Sequence, residues 1–339
     1  MISSLKYVRI SNAILIIERS SYMKDSKNIF KGTVSVCFFA MICCLLWGSA
    51  FPCIKLGYSW FNISATDTAT QILFAGCRFT IAGLMVIAVG SMLEHRVLYF
   101  KGVQSWKRVC VVSMFQTFLQ YLFYYIGLAH TSGVKASIVI GSNVFVALIV
   151  SCLLFKLEKL SSKKVVGCIV GFLGLILINC NGRELLGSFN FYGEGLVFIS
   201  TIASGFSSVY MKKYSKYENP IALSGYQFFI GGILMAICGL AFGGRLTIQD
   251  GKSLAMLLYL AFISAGAYTL WSILLKYNPV SQVTVFGFMN PVFGTLLSAY
   301  ILGEKEQILN VKSLISLFLI CIGILIVNSS SKQKSSPKV

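Results

Sequence analysis

Ten runs of apolar residues separated by short polar connections fill the chain from residue 33 onwards: 33–58, 71–93, 109–129, 135–155, 162–180, 192–211, 220–243, 253–275, 280–303 and 311–329. Each is close to the length a helix needs to cross the hydrocarbon layer of a bilayer. A lone strand could not satisfy its backbone there, so the pattern predicts a bundle of helices. The longest connection runs only from Glu94 to Arg108, which leaves no room for a water-soluble catalytic or regulatory domain. The chain is expected to work inside the membrane.

The pattern also repeats. Gly48 and Lys55 recur as Gly205 and Lys212 at an offset of 157, and the Arg78–Met85 stretch is answered by Gln227–Leu234 at an offset of 149. Gly174–Asn179 is answered by Gly323–Asn328 at that same offset. Each copy holds five apolar runs, and an odd number turns the second copy upside down relative to the first, as in many secondary transporters. The expected architecture is an all-α membrane protein of ten transmembrane helices in two inverted five-helix repeats, residues 32–181 and 191–329. Residues 1–31 then form a cytoplasmic N-terminal segment and 330–339 a cytoplasmic tail.

Composition agrees with lipid as the solvent: 56% of the 339 residues are hydrophobic and 12% charged, and the mean hydropathy is +0.79. A net charge of +18 would point to nucleic acid in a soluble protein, but the basic residues are scattered among short connections. Placing the N-terminus inside puts 21 of the 29 basic residues on the cytoplasmic side, which sets both termini there in a multi-pass protein. The expected partners are the lipid bilayer and a small-molecule substrate, with no nucleic acid; oligomeric state is left open. The eleven cysteines sit in or beside apolar runs without a Cys-x-x-Cys pair, so they read as small apolar filler, with no metal and no cofactor. Ala13–Ile17 is too short for a signal-peptide core, and Met23 reads equally well as the start.

Particular residues carry a resemblance. Trp47, Gly48, Ser49, Ala50, Phe51, Pro52 and Lys55 in the first run, Arg78, Phe79 and Ala82 in the second, and Gly193 with Glu194 opening the sixth form one ordered set. Glu158, Lys159 and Leu160 after the fourth run, Asn290 with Pro291 in the ninth, and Gly303 with Glu304 complete it. In these residues the chain resembles the EamA-type family of the drug/metabolite transporter superfamily. That resemblance implies two inverted five-span, EamA-like halves around a central cavity, and export of amino acids or other small metabolites across a bacterial cell membrane. One departure stands out: Asn143 is followed by Val144, whereas Asn290 is followed by Pro291.

Charges inside hydrocarbon face a cavity, find a partner or snorkel. Lys55 lies near the outer end of its run, where snorkelling explains it. Arg78 lies deeper, and suits either contact with a carboxylate or other anion, or bonding to free carbonyls between helices. Gln116, Gln120 and Tyr124 recur at every fourth position and so share one helical face. With Asn143, Tyr268, Trp271 and Asn290 they form a set of neutral polar and aromatic groups fit to line a path for a small polar or amphipathic solute. Interhelical hydrogen bonding uses the same residue types. Pro52 and Pro291 each follow a glycine by four residues, Gly48 and Gly287, which predicts kinks that serve as hinges or simply pack. Gly167 with Gly171, and Gly239 with Gly243, read as close helix packing.

No carboxylate falls near the middle of a run, which argues against a proton relay and against an aspartyl or zinc enzyme in the membrane. A secondary transporter of a small organic solute (amino acid, metabolite or drug), working by alternating access, is the leading expectation. A membrane-embedded enzyme or lipid-handling protein without a recognisable catalytic motif is the alternative.

Overall fold

The computed structural model describes residues 29–131, 136, 139–179, 190–301 and 311–329. Most of the N-terminal segment with Met23, the tail, Lys135, Cys180 and the Gly303–Glu304 pair lie outside the described residues. Among those described the chain is helical and contains no strand. The first three helices are α1 (Thr33–Trp60), α2 (Thr68–Leu93) and α3 (Val103–Leu128), the last widened into a π turn over Met114–Leu119. Helix α4 (Val139–Leu154) ends in a second π turn, Val150–Leu154, and is followed by α5 (Ser162–Asn179). A third π turn, Phe191–Gly195, leads into α6 (Leu196–Tyr214), then come α7 (Pro220–Ala241) and α8 (Gly251–Tyr277). The ninth apolar run divides into α9 (Val280–Thr284), a 3-10 turn (Val285–Phe288) and α10 (Met289–Ile301), before α11 (Val311–Ser329). Of the described helices, five (α1, α2, α3, α7 and α8) are both long and apolar enough to cross a membrane.

Local chemistry sets the helix starts. The Asp67 side chain accepts from the Thr70 amide at 2.9 Å to cap α2. Asn219 caps α7 through the Ile221 amide, with Pro220 at the first helical position where its missing N–H costs nothing. Asp250 and Ser253 cap α8 reciprocally.

Packing is densest where small residues let backbones touch. Helices α2 and α7 form the most extensive pair, followed by α5 and α11; α1 lies against α8 and α10, and α6 against α3 and α4. A Cβ at Gly76 would stand 2.4 Å from the Ala236 amide nitrogen, at Gly83 2.4 Å from that of Phe229, and at Gly232 2.4 Å from that of Thr80. Only glycine admits backbone that close, so α2 and α7 are joined along a glycine seam. Gly167 and Gly171 play the same part against Gly323 between α5 and α11.

The Gly239–Gly243 pair is a different matter. Gly239 lies 2.5 Å, by its missing Cβ, from the Leu73 amide nitrogen, but Gly243 meets nothing within 4 Å. It falls just past the end of α7 at φ 88°, so it ends the helix in the left-handed region instead of packing it.

The two Gly/Pro pairs also diverge. Helix α1 continues through Pro52, and Gly48 is held against Phe293 of α10, whose Cβ its own missing Cβ would approach to 2.5 Å. The run containing Pro291 is interrupted instead, by the 3-10 turn that includes Gly287, where the nearest atom to an added Cβ is 4.0 Å away.

Candidate solute site

Arg78 is the tenth residue beyond the start of α2, about 15 Å along the helix, and is 4% exposed. Its guanidinium lies 4.4 Å from the centre of the Phe79 ring. No ion pair reaches it among the described residues, and its buried Nε has no hydrogen-bond partner. Tyr58, Tyr121, Tyr124 and Tyr268 stand close enough to feel its charge.

From Phe79 a connected cluster of aromatic rings extends through α1, α2, α3, α7 and α8. The Tyr121 and Tyr268 hydroxyls are hydrogen-bonded to one another. Trp47 packs edge-on against Tyr268 at 4.8 Å and Trp271 at 4.9 Å. Phe79 stacks on Phe228 at 5.3 Å, and Phe228 meets Tyr268 at 5.0 Å. Gln120 lies beside the Tyr268 hydroxyl, and Tyr124 packs on Tyr125 at 5.6 Å. Arg78, Gln120, Tyr124, Tyr268 and Trp271 are thus brought into one neighbourhood.

Gln116, Asn143 and Asn290 are not joined to it by any side-chain hydrogen bond among the described residues. Gln116 falls inside the Met114–Leu119 π turn, whose wider hydrogen-bonding pattern breaks the every-fourth-residue alignment with Gln120 and Tyr124. Asn143 opens the regular part of α4 and Asn290 is the second residue of α10.

Unpartnered atoms unite the wider set. Trp47 Nε1, Arg78 Nε, Gln116 Oε1, Gln120 Oε1, Asn143 Oδ1, Gln227 Nε2 and Asn290 Oδ1 are all buried without a hydrogen bond. Each such atom costs about 1–3 kcal/mol unless something meets it. So many in one bundle mark places for water or a polar solute. Gln227 is the member that sequence reasoning did not place in the site. It is fully buried, its Oε1 accepts from Thr117 Oγ1 at 2.5 Å, and Ser113 Oγ donates to its carbonyl at 2.9 Å. Its signal was its position, matching Arg78 at the offset of 149.

A second polar constellation lies between α4 and α5. Glu158 accepts from Ser151 Oγ at 2.6 Å, Lys164 Nζ at 2.5 Å and the Ser281 amide at 3.1 Å, and also from Ser281 Oγ. Burial alone would raise its pKa, but Lys164, Ser151 and Ser281 outweigh that and hold the carboxyl below its ordinary value. The carboxylate therefore stays ionised and binds the connection after α4 to the start of α9. Glu194, in the turn leading into α6, accepts from Thr131 Oγ1 at 2.7 Å and the Asn190 amide at 2.8 Å.

Known proteins resemble this chain over most of its length. The sequence profile of the EamA-like transporter family matches residues 34–180 and again 191–329. The uncharacterized transporter YvbV of Bacillus subtilis is 26% identical over 294 residues, covering 86% of this chain and 93% of that one. An uncharacterized transporter of Archaeoglobus fulgidus is 27% identical over 289 residues, covering 83% and 94%. A WAT1-related chloroplastic protein of Arabidopsis thaliana is 24% identical over 276 residues, covering 76% of this chain and 61% of its own length. A solved crystal structure 18% identical in sequence superposes with a TM-score of 0.71, covering 90% of this chain and 100% of the other, and so shares the fold.

Proposed function

We propose that this chain, which belongs to the EamA-like transporter family and is a membrane transporter, exports a small organic solute across the cell membrane by alternating access. Arg78 carries the reading. A buried cation with an unpartnered Nε, beside a cluster of aromatic rings, is suited to a solute that brings an anionic group and an apolar body. Gln116, Gln120, Gln227, Asn143 and Asn290 offer neutral contacts along the rest of a path, and the interruption at Val285–Phe288 offers a place to flex.

Three observations support two inverted five-helix repeats, 32–181 and 191–329. The family profile matches twice, over nearly those residues. The packing maps onto itself when the halves are exchanged: α2 pairs with α7 and α5 with α11, while α1 against α8 and α10 mirrors α6 against α3 and α4. Asn143 to Glu158 is one residue longer than Asn290 to Glu304, and the π turn Val150–Leu154 lies in that interval, the usual way a helix absorbs an inserted residue.

Two experiments test this. Single cysteines at Ser161 and Gln307, positions that the repeat makes equivalent, should react with an impermeant thiol reagent from opposite faces of the membrane. Reaction from one face would end the inverted-repeat reading. Purified protein in liposomes, offered amino acids, nucleosides and cationic drugs, should carry solutes bearing a carboxylate. Transport confined to cationic drugs would remove Arg78 as the contact.

A further inference from the structure

We propose that Lys212 and Lys55 are alternating latches, each capping the carbonyl end of a facing helix only while its own side of the membrane is closed; this rests on the inverted-repeat, alternating-access reading above. Lys212 lies in the last turn of α6 and donates from Nζ to the carbonyl oxygens of residues 276 and 278, at 3.0 and 2.7 Å. These carbonyls lie at the end of α8, where an ammonium opposes the negative end of the helix dipole. Three residues after Asn278, Ser281 is held by Glu158. The corner between α6, α8 and α9 is thereby closed by two side chains, at the cytoplasmic face in the proposed orientation.

The repeat puts the counterpart corner at the far end of α3. Lys55 answers Lys212 at the offset of 157. Residues 127 and 129 answer 276 and 278 at 149, the offset that relates Arg78 to Gln227. They end α3 just as 276 and 278 end α8, with the carbonyl of residue 127 accepting from the His130 amide at 3.0 Å and so keeping one lone pair for an ammonium. All the parts of a second latch are therefore present, yet it is not fastened. Lys55 is exposed and makes no hydrogen bond or ion pair among the described residues. Helix α6 packs along α8, whereas α1 and the outer half of α3 make no comparable backbone approach, although Tyr58 packs in the cluster that holds Tyr125. One structure thus holds the same device fastened at one end and released at the other. In a protein that rocks between two mirrored states, the released end is the image of what the fastened end becomes.

Hydrogen exchange of the purified protein in lipid nanodiscs tests the pair. Lys212→Ala should speed exchange over 274–284 roughly tenfold, as expected when a charged hydrogen-bond donor is lost, and should slow it over 125–131 as Lys55 engages there. Lys212→Arg should behave as wild type. Lys55→Ala alone should change neither segment, and the double replacement Lys55→Ala with Lys212→Ala should exchange quickly at both. Faster exchange at 274–284 with 125–131 unchanged would mean a local helix cap only and would overturn the latch. One-face labelling at residues 161 and 307 would instead overturn the reading beneath it, and the latch with it.

Discussion

Replacing Arg78 by glutamine is expected to reduce transport of a carboxylate-bearing solute tenfold or more while raising the thermal stability of the protein. Glutamine keeps a donor but removes the charge, and hydrogen bonds to charged groups contribute about 1.5–3 kcal/mol, so solute affinity should fall by roughly 10- to 100-fold. Stability should move the other way, because Arg78 is 4% exposed and no carboxylate pairs with it among the described residues. A buried cation without a counter-charge is a burden on the fold that glutamine relieves. Counterflow in proteoliposomes and thermal unfolding of the same preparations check the two effects together. An arginine present only to bond carbonyls between helices would give the opposite pair: unchanged transport and a lower unfolding temperature.

Replacing Gly232 by valine is expected to abolish folded protein, and Gly76→Val to do the same. In both, the first new carbon would lie 2.4 Å from backbone nitrogen of the facing helix, where no rotamer change can make room. Overpacking in close-packed interiors typically costs 1–3 kcal/mol, and backbone against backbone should cost about 3 kcal/mol or more. Gly287→Ala provides the contrast, since its nearest neighbour is 4.0 Å away. Size-exclusion profiles of detergent extracts should show a sharp peak for Gly287→Ala and none for the two valine variants.

The apolar runs were legible in the sequence because the bilayer imposes a length and a composition that few other structures share. The glycine seam was legible only at Gly239, which lies against Leu73. Its other residues pair as Gly76 with Gly83 and Gly225 with Gly232, seven apart, so the spacing of four that revealed Gly167 and Gly171 passes over them. Arg78, Gln116, Gln120, Asn143 and Asn290 could be picked out as polar atoms with nothing apolar to do, and their orphaned atoms in the structure follow from that same misfit. Gln227 escaped notice because it reads only as the neutral counterpart of an arginine. Glu158 follows an apolar run and looks solvated; besides the nearby Lys164 and Ser151 it accepts from Ser281, 123 residues away, a contact no local pattern can contain. The π turn that displaces Gln116 from its expected face is equally silent, because a widened turn needs no particular residue.

The seam between α2 and α7 also has a consequence in time. Gly76 and Ala236 touch in the finished protein but are 160 residues apart in the chain. At synthesis rates of roughly 5–20 residues per second, α2 waits on the order of 10–30 s for the partner that covers its bare backbone. During that interval the nascent first half offers lipid a groove with no side chains to fill it, a surface that insertion machinery must shelter and a quality-control protease can read.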